Sequence, residues 1–415
     1  MVTRESCVKR ILFYFIFILF IPLCASAQIY PPQSALVPLI ETAPEIISRA
    51  AVLIDAHTGT LLYAKNPDDE IPPASLTKLM TMHLVMKEIE EGRASYDEVI
   101  PITAESWAQN QPYRSSLMFL EPGQIVTLRE ILLGLAVVSG NDAAIAAALR
   151  IAPTVNVFSN KMTTEARRMG LKVTRFVESS GISEENMTTA AEFASFCRQY
   201  LMMHPQSLTE FHSVPEFAYP MEANVRDKNK YNPRTITQEN RNTLLKVFPG
   251  VDGFKTGFIN ESGYNIALTA QRNNTRFICV ILGAPNTRGG TAIRDKDGIE
   301  LLTWAFDNFK TVRLKDIKIE NAKLWKGKKK TVELALATSA DFTSPINRAY
   351  NLQYATIIDK KLTAPLPAGS PVGYFIISDD QGELNRVQLI TAVEAKKGNI
   401  FKRLWHSFLL LFVKN

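Results

Sequence analysis

The chain of 415 residues contains little cysteine and little histidine. Its five histidines lie at positions 57, 83, 204, 212 and 406, and none follows the His-Glu-x-x-His spacing. A zinc peptidase of that type is therefore disfavoured, and we expect no metal and no cofactor. Of the four cysteines, Cys7 and Cys24 fall near the amino terminus, and Cys197 and Cys279 lie in apolar segments. We interpret the second pair as core residues, with a disulfide between them left open as the less favoured alternative.

Long apolar runs are also missing, and this limits how the chain can meet a membrane. The apolar run over residues 11–23 is shorter than the roughly 20 residues that span a bilayer as a helix. Three basic residues precede it and Ala25-Ser26-Ala27 follows it, which is typical of an export signal. We predict a signal peptide over residues 1–27, removed from a protein that works outside the cytoplasm. An uncleaved anchor and a lipoprotein at Cys24 are the alternatives.

The positive charge of the chain is concentrated at its two ends. The net charge is +6, of which residues 1–27 carry +2 and residues 396–415 carry +5, so the rest is close to neutral. We therefore expect no nucleic acid as a partner. At about 100° per residue, one side of a C-terminal helix would be apolar: Ile400, Phe401, Leu404, Trp405, Phe408, Leu411 and Phe412. We predict that residues 396–415 form an amphipathic helix on the surface of the cytoplasmic membrane; docking on the protein's own core is the alternative.

The remaining chain predicts two domains of different character. Strand and helix patterns mix over residues 28–309, whereas residues 310–395 consist almost wholly of short strand-like runs separated by turns. In the first part, strands precede a block of helices and strands follow it. This order predicts an α+β domain with an antiparallel sheet flanked by helices, followed by a small all-β domain.

Three short motifs supply the groups of a serine acyl-transfer site. Ser75-Leu76-Thr77-Lys78 places a hydroxyl and an amine three residues apart at a predicted helix start, within reach of each other. Ser139-Gly140-Asn141 lies between two predicted helices, and Lys255-Thr256-Gly257 lies on a predicted edge strand where a substrate backbone can approach. Lys78 can act as a base only if burial or a nearby cation lowers its pKa, and Lys255 is the candidate cation. The three strings together are a known signature of β-lactamases and penicillin-binding proteins.

The first motif alone is weak. Ser6-Cys7-Val8-Lys9 fits the same spacing inside the predicted export signal, and a helix cap with a solvated lysine would be the ordinary interpretation of Ser75 and Lys78. The second and third strings each occur once in the chain, in the expected order and context. The set, rather than any single string, therefore carries the prediction.

At this point the chain resembles the low-molecular-mass penicillin-binding D-alanyl-D-alanine carboxypeptidases, serine peptidases with a β-lactamase/transpeptidase-like fold. The resemblance covers nearly the whole predicted mature chain. Beyond the three motifs it includes Ser115-Ser116-Leu117-Met118-Phe119-Leu120, Asn240-Arg241-Asn242 and Gly263-Tyr264-Asn265. Arg294 falls where that family places an arginine for the substrate carboxylate.

The resemblance implies a role for each candidate residue. Ser75 would attack the carbonyl between the terminal D-alanines of a peptidoglycan pentapeptide, and Lys78 would take its proton. Ser139 and Asn141 would pass a proton to the leaving amine and hold the substrate amide. The backbone N–H groups of Ser75 and Phe258 would form the oxyanion hole. The remaining substrate-binding residues are Lys255, Thr256, Gly257, Arg241 and Arg294. β-Lactams would acylate Ser75, and water would release the acyl-enzyme.

The sequence also departs from this family in two places and leaves rival functions to weigh. Gly253-Phe254-Lys255 replaces the commoner Gly-Leu-Lys. Phe258 stands where a histidine often follows Lys-Thr-Gly, from which we expect altered turnover or pH dependence rather than loss of activity. A class A β-lactamase would need a Glu-x-x-Leu-Asn string, and the chain has none. A D,D-endopeptidase that cuts peptidoglycan cross-links and a β-lactam-binding protein with little turnover remain as alternatives to the carboxypeptidase.

Overall fold

The structure is a computed structural model, and it describes residues 42–225, 234–315 and 317–413. The predicted signal peptide lies outside the described residues. Within these ranges the α-helices are α1 (Lys78–Glu90), α2 (Leu128–Leu133), α3 (Asn141–Ile151), α4 (Val155–Arg168), α5 (Ala190–Met203), α6 (Leu244–Val247), α7 (Gly290–Asn308) and α8 (Ile400–Leu410).

The strands of the first part of the chain are β1 (Ala50–Asp55), β2 (Leu61–Lys65), β3 (Val99–Ile100), β4 (Val126–Thr127), β5 (Glu216–Tyr219), β6 (Ile236–Glu239), β7 (Val251–Ile259), β8 (Gly263–Arg272) and β9 (Thr275–Ala284). The later strands are β10 (Phe309–Val312), β11 (Ala322–Lys323), β12 (Thr331–Val332), β13 (Leu334–Leu336), β14 (Phe342–Pro345), β15 (Gln353–Ile358), β16 (Pro371–Asp379) and β17 (Gly382–Thr391). We call residues 42–308 the first region and residues 309–397 the β region.

The central sheet of the first region joins strands from both ends of that region. Its five antiparallel strands run in the order β2-β1-β9-β8-β7, so β7 forms an edge. Alternate residues of β1 enter different cores: Val52 and Ile54 pack with the helices α1 to α5, whereas Ala51 and Leu53 pack with α7. The α+β prediction, with an antiparallel sheet between helices, is confirmed. All six residues of β1 are buried, as expected for a strand whose sheet is covered on both faces.

Helix boundaries differ from the prediction in informative places. The helix predicted over residues 75–91 begins as a 3-10 turn, Ala74–Thr77, before α1. The helix predicted over residues 128–137 ends in a π-helical turn, Gly134–Val138. The sequence pattern predicts a last helix over residues 294–309, but α7 begins four residues before that, after Gly289 in a left-handed conformation. Helix α4 was not assigned from the sequence.

The β region has its own core and its own sheets. A four-stranded sheet runs β13-β17-β16-β15, beside the pairs β10–β14 and β11–β12. The run predicted as one strand over residues 331–337 forms two strands in different sheets, β12 and β13. The all-β character of this region is confirmed. Cys197 in α5 and Cys279 in β9 are both buried free thiols, so the alternative of a disulfide between them does not hold.

Helix α8 packs on the β region through its polar side. Lys402 Nζ donates to the carbonyl of Lys328 at 3.2 Å, and the backbone N–H of Lys326 donates to His406 Nδ1 at 2.8 Å. The predicted apolar side faces away from the protein, since Phe401 is 80% exposed and Leu411 78% exposed. Among the described residues, no helix is both long enough and apolar enough to cross a membrane.

Candidate active site

The turn that carries Ser75 brings its hydroxyl to a buried amine. In the 3-10 turn Ala74–Thr77, residues three apart are eclipsed along the axis, so the side chains of Ser75 and Lys78 lie on one face. Lys78 Nζ donates to Ser75 Oγ at 3.1 Å. Lys78 is fully buried, whereas Ser75 is partly open to the cleft. A nucleophile within hydrogen-bond reach of an amine is the pair that acyl transfer requires.

Three acceptors surround the amine of Lys78. Besides Ser75 Oγ, Nζ contacts the carbonyl of Ser180 at 2.6 Å and Asn141 Oδ1 at 2.8 Å. A protonated amine donates to all three. A neutral amine keeps two N–H bonds and turns its lone pair to the third group, and only the hydroxyl of Ser75 has a proton to give it. The neutral state is therefore oriented to deprotonate Ser75.

Burial brings the proton affinity of Lys78 into the working range of a general base. Burial lowers its pKa to about 7, although the negative charges of Glu178 and Asp142 oppose this shift. A base with a pKa near the ambient pH is well matched to proton transfer. Of the two causes considered for the sequence, burial and a nearby cation, burial is the one that lowers the pKa of Lys78.

The pKa of the second lysine of the site, Lys255, is lowered as well. Lys255 is also buried, and burial lowers the pKa of its amine well below the usual value, followed by the positive charges of Lys78, Arg241 and Arg294. Four cationic side chains thus share one cleft. The guanidinium groups of Arg114, Arg241 and Arg294 line the cleft, and an anionic ligand would favour the protonated form of Lys255.

The loop with Ser139 and Asn141 links the π-helical turn to α3. Ser139 has a left-handed backbone, with φ of 63°, and Asn141 begins α3. A Cβ on Gly140 would lie 2.9 Å from the backbone nitrogen of Met118, so only glycine lets the loop pass so close. Ser139 and Asn141 are 4% and 8% exposed and both line the cleft. Because Asn141 Oδ1 already accepts from Lys78, its amide group remains as a donor toward a substrate.

Asp142 fixes this loop against the neighbouring segment. Its carboxylate accepts bonds from the backbone N–H groups of Met118 at 2.9 Å and Leu120 at 3.0 Å. The loop also donates a bond to this segment, from the backbone N–H of Asn141 to the carbonyl of Ser116 at 2.8 Å. The segment over residues 116–120 is therefore one wall of the cleft, and the buried carboxylate of Asp142 holds it in place.

The edge strand β7 forms the opposite wall and touches the nucleophile turn. A Cβ on Gly257 would lie 3.0 Å from the backbone nitrogen of Ser75 and 2.9 Å from the carbonyl of Pro73. The glycine therefore allows β7 to lie directly against Ser75. Thr256 and Phe258 flank it and line the same cleft, and Lys255 Nζ donates to the carbonyl of Thr256 at 3.0 Å.

The two candidate arginines, Arg241 and Arg294, lie on different elements beside the cleft. Arg294 is 4% exposed within α7 and pairs with Asp295, from Nε to Oδ1 at 2.9 Å. Arg241 is exposed between two anchored asparagines: Asn240 donates to the carbonyl of Val214 at 2.9 Å, and Asn242 is buried.

The cleft has a volume of about 970 Å³. Its lining includes eight of the ten sequence-predicted site residues, namely Ser75, Ser139, Asn141, Arg241, Thr256, Gly257, Phe258 and Arg294. The other two, Lys78 and Lys255, are fully buried behind it.

Sequence reasoning missed the segment that supplies the Ser180 carbonyl. Glu178 orders this segment by accepting from the backbone N–H groups of Ser180 and Gly181, both at 2.6 Å, and from Asn186 Nδ2 at 2.7 Å. The signal available was Ser179-Ser180-Gly181, a turn-forming string after a short apolar run. No motif marks it as part of the site because it contributes a main-chain oxygen.

The chain is similar to known proteins over most of its length. A family model for D-alanyl-D-alanine carboxypeptidases matches residues 38–286, and one for the C-terminal domain of penicillin-binding protein 5 matches residues 306–397. The carboxypeptidase DacC of Escherichia coli is 31% identical over 376 residues, 89% of this chain and 90% of the relative. DacD of the same organism is 32% identical over 89% of this chain and 92% of its own length. The crystal structure of penicillin-binding protein 5 from Haemophilus influenzae has a TM-score of 0.76 at 29% identity, covering 86% of this chain and all of that chain.

Proposed function

The chain belongs to the D-alanyl-D-alanine carboxypeptidase family, and from that membership we propose how its own residues carry out the reaction. The protein is a serine-type D-Ala-D-Ala carboxypeptidase that removes the terminal D-alanine from peptidoglycan pentapeptides. The observation that carries the assignment of roles is the contact of 3.1 Å between Lys78 Nζ and Ser75 Oγ, with the amine buried and its pKa near 7.

Acylation begins with the neutral amine of Lys78. The oxygen of Ser75 bonds to the carbonyl carbon between the two D-alanines while its proton passes to Lys78. The carbonyl oxygen becomes negative and accepts bonds from the backbone N–H groups of Ser75 and Phe258. One such donor is worth about 3 kcal/mol in other serine enzymes. The position of Gly257 against the Ser75 amide supports this pairing of the two main chains.

Collapse of that intermediate breaks the peptide bond. The proton that Lys78 took from Ser75 passes through Ser139 to the departing amine of D-alanine, while the amide of Asn141 holds the substrate carbonyl on the acyl side. Lys255, Thr256, Arg241 and Arg294 bind the terminal carboxylate, which matches the convergence of positive charge on this part of the cleft. Water then attacks the ester on Ser75 and gives a proton to Lys78; the bond to Ser75 Oγ breaks, Lys78 returns the proton to that oxygen, and the tetrapeptide leaves.

The same oxygen of Ser75 opens a β-lactam ring. We expect penicillin to label Ser75 covalently and the purified enzyme to release D-alanine from a pentapeptide that ends in D-Ala-D-Ala. Ser75→Ala should abolish both, because no other residue supplies the oxygen, and mass spectrometry of the penicilloyl peptide is the measurement. Ser183→Ala, a partly exposed serine beyond Ser180, is the matched control. A Ser75→Ala protein that still takes the label would refute the assignment.

A second substrate separates carboxypeptidase from endopeptidase activity. A cross-linked peptidoglycan dimer should be cleaved far more slowly than the pentapeptide by the same preparation. Faster cleavage of the dimer would favour a D,D-endopeptidase. A penicilloyl adduct at Ser75 with no hydrolysis of either substrate would favour a β-lactam-binding protein with little turnover.

We further propose that the protein is exported and held on the outer face of the cytoplasmic membrane, or in the periplasm, by its C-terminal helix. The predicted mature chain comprises a peptidase domain over residues 28–309, a β-rich domain over 310–395 and the anchoring helix over 396–415. The orientation of α8 supports the anchoring, since its polar side is hydrogen-bonded to Lys326 and Lys328 and its aromatic side is exposed. Such a face binds a lipid interface through apolar burial, helped by basic residues on anionic lipid.

Truncation after residue 395 tests this anchoring. The shortened protein should lose flotation with vesicles that contain anionic lipid, while it keeps penicillin labelling at Ser75. Trp405→Ser should weaken flotation, whereas Tyr354→Ser, which removes an aromatic residue of similar exposure from β15, should not. Equal flotation of the truncated and full-length proteins would contradict the proposal.

A further inference from the structure

Four lysines lie on one short turn of the β region. The turn spans residues 326–330 and contains Lys326, Lys328, Lys329 and Lys330 around Gly327. We call it the lysine turn. Its last three lysines are exposed, and its sequence has no acidic residue. A run of like charges is ordinarily a solvated surface, so the neighbours of the turn decide whether it has a partner.

The lysine turn is tied to the segment that leads into α8. The backbone N–H of Lys328 donates to the carbonyl of Lys396 at 2.8 Å, and the backbone N–H of Gly398 donates to the carbonyl of Lys326 at 2.8 Å. Lys396 and Lys397 are also exposed. Because these main-chain bonds hold the two segments side by side, Lys396 and Lys397 form one basic surface with the lysine turn.

That surface continues onto the polar side of α8. The backbone of the turn is hydrogen-bonded to Lys402 and His406 of this helix. Burial lowers the pKa of His406, and the positive charges of Lys402, Lys323 and Lys326 lower it further. Positive charge from the turn and positive charge from the helix therefore meet at one place.

The exposed apolar side of α8 sets the depth of this surface at a membrane. A helix in the interface buries its apolar side by about 5–10 Å, and a helix with its side chains is about 10 Å across. The turn contacts the opposite side, through bonds of 2.8 and 3.2 Å. The lysine turn would therefore lie about one helix diameter from the acyl chains, at the level of the phosphate headgroups. Salt screens charges only partly at that distance, because the Debye length is about 8 Å.

We propose that the lysine turn, together with Lys396 and Lys397, binds the phosphate headgroups of anionic phospholipid beside α8. The β region then supplies its own charged contact with the membrane, while α8 supplies the apolar one. A lysine amine is a compact charge on a flexible stem, which suits mobile phosphates without a shaped pocket. Glu394, which lies 3.8 Å from the amine of Lys396, offsets one of these charges. This inference rests on the proposed anchoring by α8 and adds the chemistry of the partner.

Replacement of two exposed lysines of the turn tests this partner. Lys329→Gln/Lys330→Gln and the native chain are compared by their partition coefficients on phosphatidylcholine vesicles with and without phosphatidylglycerol. A lysine near an anionic surface contributes about fivefold to binding, so the double variant should lower the anionic-to-neutral ratio about 10–30-fold. Binding to neutral vesicles should stay the same, because α8 is intact. An unchanged ratio would overturn the proposal.

Two matched variants separate the position of the charge from the net charge. Lys161→Gln/Lys172→Gln removes the same charge from exposed positions of the first region, and it should keep the native ratio. Lys329→Arg/Lys330→Arg should keep it too, since arginine retains the charge. A loss of equal size in Lys161→Gln/Lys172→Gln would mean that net charge alone sets the preference, and the lysine turn would then have no special role.

Sodium phosphate distinguishes a lipid surface from a site for the free ion. At matched ionic strength, sodium phosphate and sodium chloride should weaken the anionic preference equally, because the headgroups are bound by charge without a shaped pocket. A much stronger effect of phosphate would assign the turn to free phosphate, contrary to the proposal.

Failure of this inference differs from failure of the anchoring by α8. If only the inference fails, truncation after residue 395 abolishes flotation while Lys329→Gln/Lys330→Gln keeps the native ratio. If the anchoring fails, the truncated and full-length proteins float equally. The inference then falls with it, because it places the turn beside a membrane-bound helix.

Discussion

The first region and the β region bury different kinds of polar side chain. The first region buries charged side chains, among them Lys78, Lys255, Asp142, Glu192 and Asp297. Among the described residues of the β region, the buried polar side chains are the hydroxyls of Thr311, Thr343, Ser344 and Thr391. Since burying a charge costs several kcal/mol unless it is paired, the difference indicates where stability has been given up for chemistry.

Within the first region, the buried carboxylates and the buried amine of Lys78 differ in their hydrogen-bond partners. Glu192 accepts bonds from the backbone N–H groups of Val173 and Thr174, and Asp297 accepts from the backbone and hydroxyl of Ser48. These carboxylates are fully engaged and tie distant segments together. Lys78 instead contacts neutral oxygens beside an open cleft. A buried amine without a paired carboxylate is a stronger sign of function than burial of charge by itself.

Replacement of Lys78 by methionine tests this distinction with the largest expected effect. Lys78→Met removes the base but keeps most of the volume, so the rate of Ser75 acylation by penicillin should fall about 10²–10⁴-fold while the protein remains folded. Stopped-flow or gel-based acylation rates measure the loss, and circular dichroism checks the fold. Lys161→Met, an exposed lysine of α4, is the control. Acylation of Lys78→Met at the native rate would mean that another group takes the proton.

Removal of a side chain from the core of the β region should show the opposite pattern. Ile377 in β16 is fully buried, so Ile377→Ala should lower the free energy of unfolding by about 2–5 kcal/mol through lost burial and a cavity. The acylation rate of Ser75 should not change. Denaturant unfolding measures the first and penicillin labelling the second, with Ile357→Ala, which is 54% exposed, as control. A slower acylation in Ile377→Ala would show that the core of the β region supports the cleft.

The pH dependence of acylation sharpens the comparison further. Lys78 is active as the neutral amine, and burial lowers its pKa to about 7. The acylation rate should therefore fall about tenfold for each pH unit below 7 and level off above it. The residual acylation of Lys78→Met should lack this inflection. A rate that stays constant from pH 5 to pH 8 in the native enzyme would contradict the role of Lys78.

The site residues in the three motifs and the α+β layers of the first region could be predicted from the sequence. How the three motifs come together in space could be predicted less well. Ser75, Ser139 and Thr256 line one cleft because antiparallel pairing brings β7 against a turn that lies far from it in the chain. The strings carry side chains whose chemistry can be recognised. The pattern of strands at both ends of the first region predicted an antiparallel sheet with β7 as an edge strand, whereas the order of the other strands comes from the structure.

Contributions from the main chain could not be predicted in the same way. The Ser180 carbonyl that contacts Lys78 belongs to a segment with no motif, since any residue has that oxygen. The sequence also left open whether burial or a nearby cation lowers the pKa of Lys78, because the depth at which an amine is buried depends on packing from several elements. The early start of α7 was missed since Gly289 and Gly290 suggest a turn rather than a helix start.

The smallest expected effect lies where the two regions touch. His57 Nε2 contacts Asp341 Oδ2 at 2.5 Å, and the pKa of Asp341 is lowered because bonds from the Leu314 backbone, Ser339 and His57 outweigh its burial. His57→Ala should therefore cost about 1 kcal/mol of unfolding free energy at pH 7. A carboxylate with a lowered pKa stabilises the fold above its unfolded pKa of about 4 and loses that effect as the pH falls, so the cost should shrink below pH 4. Denaturant unfolding at both pH values measures this, and an equal cost at each would exclude the charge of Asp341 as the cause.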